Sequence, residues 1–129
     1  MMAITSSLVF LEKLNIQLQA HLSDHTLDVH RLTRLVGMSR TDLHRKLSRT
    51  VGMSTTEYIR LQRLQRAAEL LEERPGWSVY QVAMEVGFDN HSYFSRRFKE
   101  AFGKCPVAWR DQSTHRQFTP ILNPPLLKP

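Results

Sequence analysis

The strongest constraint on the fold is an internal repeat, because a chain that copies itself must bury the same face twice. Val29, Leu32, Val36 and Gly37 recur 50 residues later as Val79, Val82, Val86 and Gly87. Leu43, Arg45, Lys46, Leu47, Gly52, Ser54 and Tyr58 recur 51 residues later as Phe94, Arg96, Arg97, Phe98, Gly103, Cys105 and Trp109. The offset changes between Gly37 and Leu43, where a turn tolerates one extra residue. Two copies make a duplicated module rather than a solenoid.

Each copy reads as helix, tight turn, helix. In the first, Asp28 is an N-cap and Val29, Leu32 and Val36 form a buried stripe. Gly37 stands where a helix C-terminus needs a left-handed residue. Ser39 and Asp42 make a capping-box pattern ahead of Leu43, Leu47 and Val51 at helical spacing. In the second copy Ser78 and Gln81 form the box, with Trp77 as its staple residue. Val79, Val82, Ala83 and Val86 carry the stripe, Gly87 turns the chain, and Phe94, Phe98 and Phe102 form the next buried face. Paired helices around a short glycine turn are the helix-turn-helix unit, whose second helix enters a major groove.

Between the copies Ser54 and Glu57 open a long helix that runs to about Arg74, where Pro75-Gly76 stops it. Its apolar residues, Tyr58, Ile59, Leu61, Leu64, Ala67, Ala68, Leu70 and Leu71, are broad enough to pack against both lobes. Leu8, Leu11, Leu14, Leu18 and Leu22 predict an amphipathic opening helix from about Ser6, and Pro106 starts a short last helix containing Trp109. Residues 111–129, with Pro120, Pro124, Pro125 and Pro129, read as an extended tail. The expectation is all-α: a first lobe over 6–54, a connector over 55–74 and a second lobe over 77–110, with about seven helices in all.

Charge follows the repeat. The chain carries 18 Lys and Arg against 12 Asp and Glu, a net of +6 and a pI near 10.0, which favours a polyanionic partner. Segment 39–50 holds Arg40, Arg45, Lys46 and Arg49 against Asp42, and segment 90–104 holds Arg96, Arg97, Lys99 and Lys104 against Glu100. Acidic and basic residues cancel elsewhere, so the whole excess lies in these two short segments. At about 100° per residue, the side opposite Leu43, Leu47 and Val51 presents Thr41, Arg45, Ser48 and Arg49, with Arg40 and His44 flanking. In the second copy Ser92, Arg96 and Lys99 oppose the phenylalanines, flanked by His91 and Ser95. An arginine can donate two hydrogen bonds to guanine O6 and N7. A connector of about 19 residues is roughly 28 Å long, and major grooves recur on one face of a duplex every ~34 Å. One chain would then read two unlike half-sites in fixed order.

The run from Val82 to Lys99, VAMEVGFDNHSYFSRRFK, followed by Phe102-Gly103, Pro106 and Arg110, resembles the signature of AraC/XylS-type bacterial transcription regulators. Gly37-Met38-Ser39-Arg40, Leu43, Arg45-Lys46-Leu47, Gly52, Tyr58-Ile59, Leu64, Ala67 and Leu70-Leu71 extend the resemblance over residues 8–110. Thr33 and Thr55 depart from it, standing where the family commonly has Ala and Pro; a buried Thr33 hydroxyl needs a backbone partner. The resemblance implies seven helices in two lobes and contacts to double-stranded DNA from Arg40, Thr41, His44, Arg45, Asn90, His91, Ser92, Ser95 and Arg96. It also implies transcription activation through RNA polymerase, and a sensor or effector domain that this chain does not include.

Other classes find less support. No nucleophile elbow, phosphate-binding loop or paired acids suggest an enzyme. The 6 histidines form no tight ligand set, and the lone Cys105 excludes an internal disulfide and a cysteine-built zinc site, so no metal or cofactor is expected. Asp42 reads as a helix cap. No apolar run approaches the roughly 20 residues of a membrane span, and residues 1–7 lack a secretory pattern, which together suggest the cytoplasm. A helical protein-interaction module with an acidic partner is the main rival, and RNA binding lacks a stacking platform.

Overall fold

The computed structural model describes residues 2–115, and every regular element among them is a helix: α1 (Met2–His21), α2 (Val29–Val36), α3 (Arg40–Val51), α4 (Thr55–Glu73), α5 (Val79–Glu85), α6 (His91–Phe102) and α7 (Pro106–His115). Local chemistry sets the boundaries. The Asp28 carboxylate accepts from the Arg31 amide and Ser39 Oγ from the Asp42 amide. Reciprocal boxes join Ser54 to Glu57 and Ser78 to Gln81. Each satisfies amides that a helix start would otherwise leave unpaired. Gly37, at φ 69°, ends α2 in the left-handed region.

Two cores form around a shared helix. Leu14, Leu18, Leu32, Leu43 and Leu47 meet Tyr58, Ile59 and Leu61 of α4 in the first lobe. Val82, Ala83, Phe94, Phe98 and Trp109 meet Leu64, Ala67, Leu70 and Leu71 of α4 in the second. Burying one apolar side chain contributes roughly 1.5–3 kcal/mol, so α4 is half of each core rather than a bare spacer. In the second core, the Trp109 ring meets the Phe98 ring edge-on, with centroids 5.8 Å apart. The Arg110 guanidinium donates from Nε to the Leu71 carbonyl at 3.1 Å and from a terminal nitrogen to that of Arg74 at 3.3 Å. It thereby pairs carbonyls at an α4 end that has no glycine cap.

Several expectations need correction. The opening helix begins at Met2 rather than near Ser6. Its buried stripe includes Phe10, whereas Leu8 is 62% exposed. The Ser39–Asp42 box is only half made: Ser39 is the cap, and the Asp42 carboxylate lies 3.6 Å from Arg45 instead. Helix α7 continues to His115, so residues 111–115 are helical rather than extended; the rest of the expected tail lies outside the described residues. The Thr33 hydroxyl, buried in α2, donates to the His30 carbonyl at 2.6 Å, the local bond such a residue requires.

One buried charge joins the lobes. Arg63, in the middle of α4, is 5% exposed. One terminal nitrogen donates to the carbonyl of Leu22, just past α1, at 2.6 Å and to that of Val86, after α5, at 2.8 Å. The other reaches the carbonyls of Asp24 at 3.1 Å and Leu27 at 3.3 Å in the α1–α2 connection. Burial pushes its pKa down from the ordinary value, and the charges of Asp24 and Asp89 act against that shift. Sequence periodicity holds a trace of this residue: position 63 is one helical step from both Ile59 and Ala67, so a guanidinium stands inside the apolar stripe.

Candidate nucleic-acid interface

Helix α3 buries Leu43 and Leu47 and turns the opposite side to solvent; α6 does the same with Phe94 and Phe98. Arg40, Thr41, His44, Arg45 and Arg49 are all exposed on α3. On and beside α6, Asn90, His91, Ser92, Arg96 and Lys99 are exposed, and Ser95 is half-buried. Charge is therefore displayed where an approaching polyanion would meet it.

The repeated basic pair divides its labour. In α3, Lys46 is half-buried, with its ammonium 4.9 Å from the centre of the Phe10 ring. In α6, Arg97 lies 5.2 Å from the Tyr93 ring centre and pairs with Glu100 at 2.8 Å. The second base of each pair thus packs on its own lobe through a cation–π contact. The first base, Arg45 or Arg96, remains exposed. Asp42 lies within ion-pair reach of Arg45, but both side chains are more than half exposed, so water screens the pair and it contributes little. Arg96 sits 5.8 Å from the Tyr93 ring centre, which limits the directions it samples.

Other side chains are partly committed. Asn90 accepts from the Tyr93 amide at 2.8 Å as the cap of α6, so its oxygen is occupied while its amide nitrogen remains a donor. Ser48 turns inward and donates to the Met53 carbonyl at 3.2 Å, with its hydroxyl 3.5 Å from His44 Nε2. The Tyr80 and His91 rings lie 6.3 Å apart beside the start of α6.

Two clefts link the helices. One, of about 310 Å³, is lined by Arg40, Thr41 and His44 of α3 together with Val29 and Thr56. The other, of about 270 Å³, is again lined by Val29 and Thr56 and extends through Arg60 and Arg63 to Asp89 and Tyr93. The amino-terminal part of α3 and Tyr93 of α6 therefore line neighbouring clefts that share Val29 and Thr56. Burial pushes the Tyr93 phenol pKa up, but the hydrogen bond from Arg60 and the charges of Arg60 and Arg97 outweigh it and lower the value. Arg60, Arg63 and Tyr93 were not legible as a unit, because residues 60 and 93 meet only through the packing of α6 on α4.

The helix-turn-helix domain family matches residues 32–112. The chain is 32% identical over 85 residues to the HTH-type transcriptional regulator MtrA of Neisseria gonorrhoeae, covering 66% of this chain and 28% of that protein. It spans 7%, 28% and 31% of the lengths of the first curated relatives it matches. Among solved structures, a Chromobacterium violaceum transcriptional regulator of the group with AraC-type DNA-binding domains superposes at TM-score 0.78 with 25% identity, covering 88% of this chain and 99% of that one. The DNA-binding domain of the global transcriptional factor AdpA, solved with a target DNA, superposes at TM-score 0.70 with 27% identity over 79% and 90% of the two chains.

Proposed function

Because this chain belongs to the AraC/XylS-type family of helix-turn-helix DNA-binding domains, we propose that one copy reads two adjacent major grooves, α3 in one and α6 in the next. The observation that carries this reading is the duplicated exposure of Arg45 and Arg96, each opposite a buried stripe while its basic neighbour packs inward. Two arginines at matching positions of duplicated helices have the chemistry to read guanine twice. The neighbouring clefts beside α3 and Tyr93, which share Val29 and Thr56, support a common face.

Arg40, Thr41, His44, Arg45, Asn90, His91, Ser92, Ser95 and Arg96 supply base and phosphate contacts in this reading, with Arg49 and Lys99 further along each helix on phosphates. The module acts at a promoter, where it activates transcription by contacting RNA polymerase. No helix among the described residues is long and apolar enough to cross a membrane, and the proposed place of action is the cytoplasmic nucleoid.

Selection from random duplexes tests the reading. The expected product is a non-palindromic motif with two blocks about one helical turn apart, bound by one monomer. No motif, or a palindrome bound by two copies, would overturn it. Weak binding without sequence preference would favour an acidic protein partner instead.

A further inference from the structure

We infer that Arg63 fixes the spacing of half-sites this module accepts, by locking the two lobes into one relative placement; the inference rests on the two-groove reading above. Helix α4 is part of both cores, but no core residue is common to the two. The first core ends at Leu61 on α4 and the second begins at Leu64, so between them the lobes share the helix but not a common set of packed side chains. Arg63 stands at that junction and is buried.

Its fork spans the junction. A single terminal nitrogen holds the Leu22 carbonyl of the first lobe and the Val86 carbonyl of the second. The other nitrogen holds Asp24 and Leu27, both of the first lobe. A planar guanidinium has fixed donor directions, so these four carbonyls are tied to one plane. The carbonyls it grips flank the helix-turn-helix units: Leu27 precedes the Asp28 cap of α2, the helix before the reading helix α3, and Val86 precedes the turn into α6. Gly87 completes the seat. A side-chain carbon there would stand 1.4 Å from the Arg63 nitrogen that bridges the lobes, so the turn is open to the arginine only because residue 87 has none.

Bonds to an ionised donor are stronger and more directional than neutral ones. A shift of one lobe against the other, taken up by bending or twisting α4, would break the bridging pair and leave buried carbonyls unpaired. Adding one base pair between half-sites moves the second site by about 3.4 Å and turns it by roughly 35°. A locked module cannot follow that step, and one reading arginine loses its base. A lysine at 63 offers a point charge without the fork; it can hold one side but not a plane shared by both. Arg63 is thus a positioning residue, buried and bonded to the chain's own carbonyls, whose effect appears as tolerance of spacing.

The test scans duplexes carrying the selected half-sites with zero, one or two base pairs added or removed between them. For the wild type, a change of one base pair should weaken binding by between about fivefold and a hundredfold, the value of one bidentate contact. Arg63→Lys, checked for wild-type helix content, should bind the optimal spacing within a few fold yet flatten this profile. An equally sharp profile in the folded variant would overturn the inference while leaving the two-groove reading intact. A flat wild-type profile over a two-block footprint would overturn it in the same way. A single-block footprint would instead defeat the two-groove reading itself. In case Arg63→Lys does not fold, residual dipolar couplings of the free wild type ask the same question: one alignment tensor for both lobes is expected, and two distinct tensors would overturn the lock.

Discussion

Gly37 and Gly87 occupy equivalent places in the repeat, and a sequence treats them alike. The structure separates them. Both have positive φ, 69° and 92°, so an alanine at either costs the left-handed penalty of about 1–2 kcal/mol. At Gly37 nothing lies within 4 Å of where a Cβ would stand. At Gly87 the new carbon would fall 1.4 Å from an Arg63 nitrogen and 2.3 Å from the Leu22 carbonyl oxygen. The guanidinium must leave, and with it go at least the bonds to Leu22 and Val86. Bonds to a charged group contribute about 1.5–3 kcal/mol each, so losing two adds roughly 3 kcal/mol or more. Gly87→Ala should therefore be about 4–8 kcal/mol less stable than wild type and Gly37→Ala about 1–2. Urea unfolding of the three proteins side by side measures the difference. Equal losses at the two glycines would refute the reasoning, since backbone strain alone would then account for both.

Other substitutions and conditions test separate parts of the account. Thr55 is 3% exposed with an unpaired hydroxyl at the first residue of α4; Thr55→Pro removes that hydroxyl and stiffens the unfolded chain where a helix tolerates proline. It should gain about 1 kcal/mol in thermal or urea unfolding, and a loss would show that Thr55 is paired in solution. The Asp24 carboxylate accepts from the Thr26 hydroxyl and amide and from Arg31, which hold it well below the usual carboxylate range. A depressed folded-state value means its stabilisation is complete above the unfolded value near 4 and fades as pH falls below it. Asp24→Asn should flatten that part of the acid-unfolding curve, and an unchanged curve would count against the cluster. Arg96→Ala should cost about 1–3 kcal/mol of discrimination at one base pair. Arg66→Ala should change binding little, because that guanidinium pairs with Glu69 and Glu73 on α4; competition binding against point-mutated sites distinguishes them. If about six phosphates are neutralised, affinity should fall on the order of 10³-fold between 50 and 200 mM salt, and a flat titration would remove the basic helices from the interface.

What the sequence could reveal was whatever depends on near neighbours. Caps at Asp28, Ser54 and Ser78 act within a few residues, so their helices begin where the pattern says. The stripes of Leu43–Leu47 and Phe94–Phe98 repeat at helical spacing, and the opposite side must then carry Arg45 and Arg96 outward. Asp42 misled because its pattern permits two partners, the Ser39 amide or Arg45, and only the folded geometry selects the second. Lys46 and Arg97 entered the sequence reading only through the charge of their segments, and their contacts with Phe10 and Tyr93 are ones that no local period encodes. Arg63 was hidden for the same reason: its acceptors lie 23 to 41 residues away. The reading helices were legible from local pattern, whereas the device joining them was not.

A methylation-protection footprint on a selected site tests the central claim most directly. The account predicts two protected guanine clusters on one face of the duplex, about 10 base pairs apart, from one bound monomer. Arg45→Ala should expose one cluster and Arg96→Ala the other. Protection confined to one groove, or loss of both clusters together in either folded variant, would contradict it.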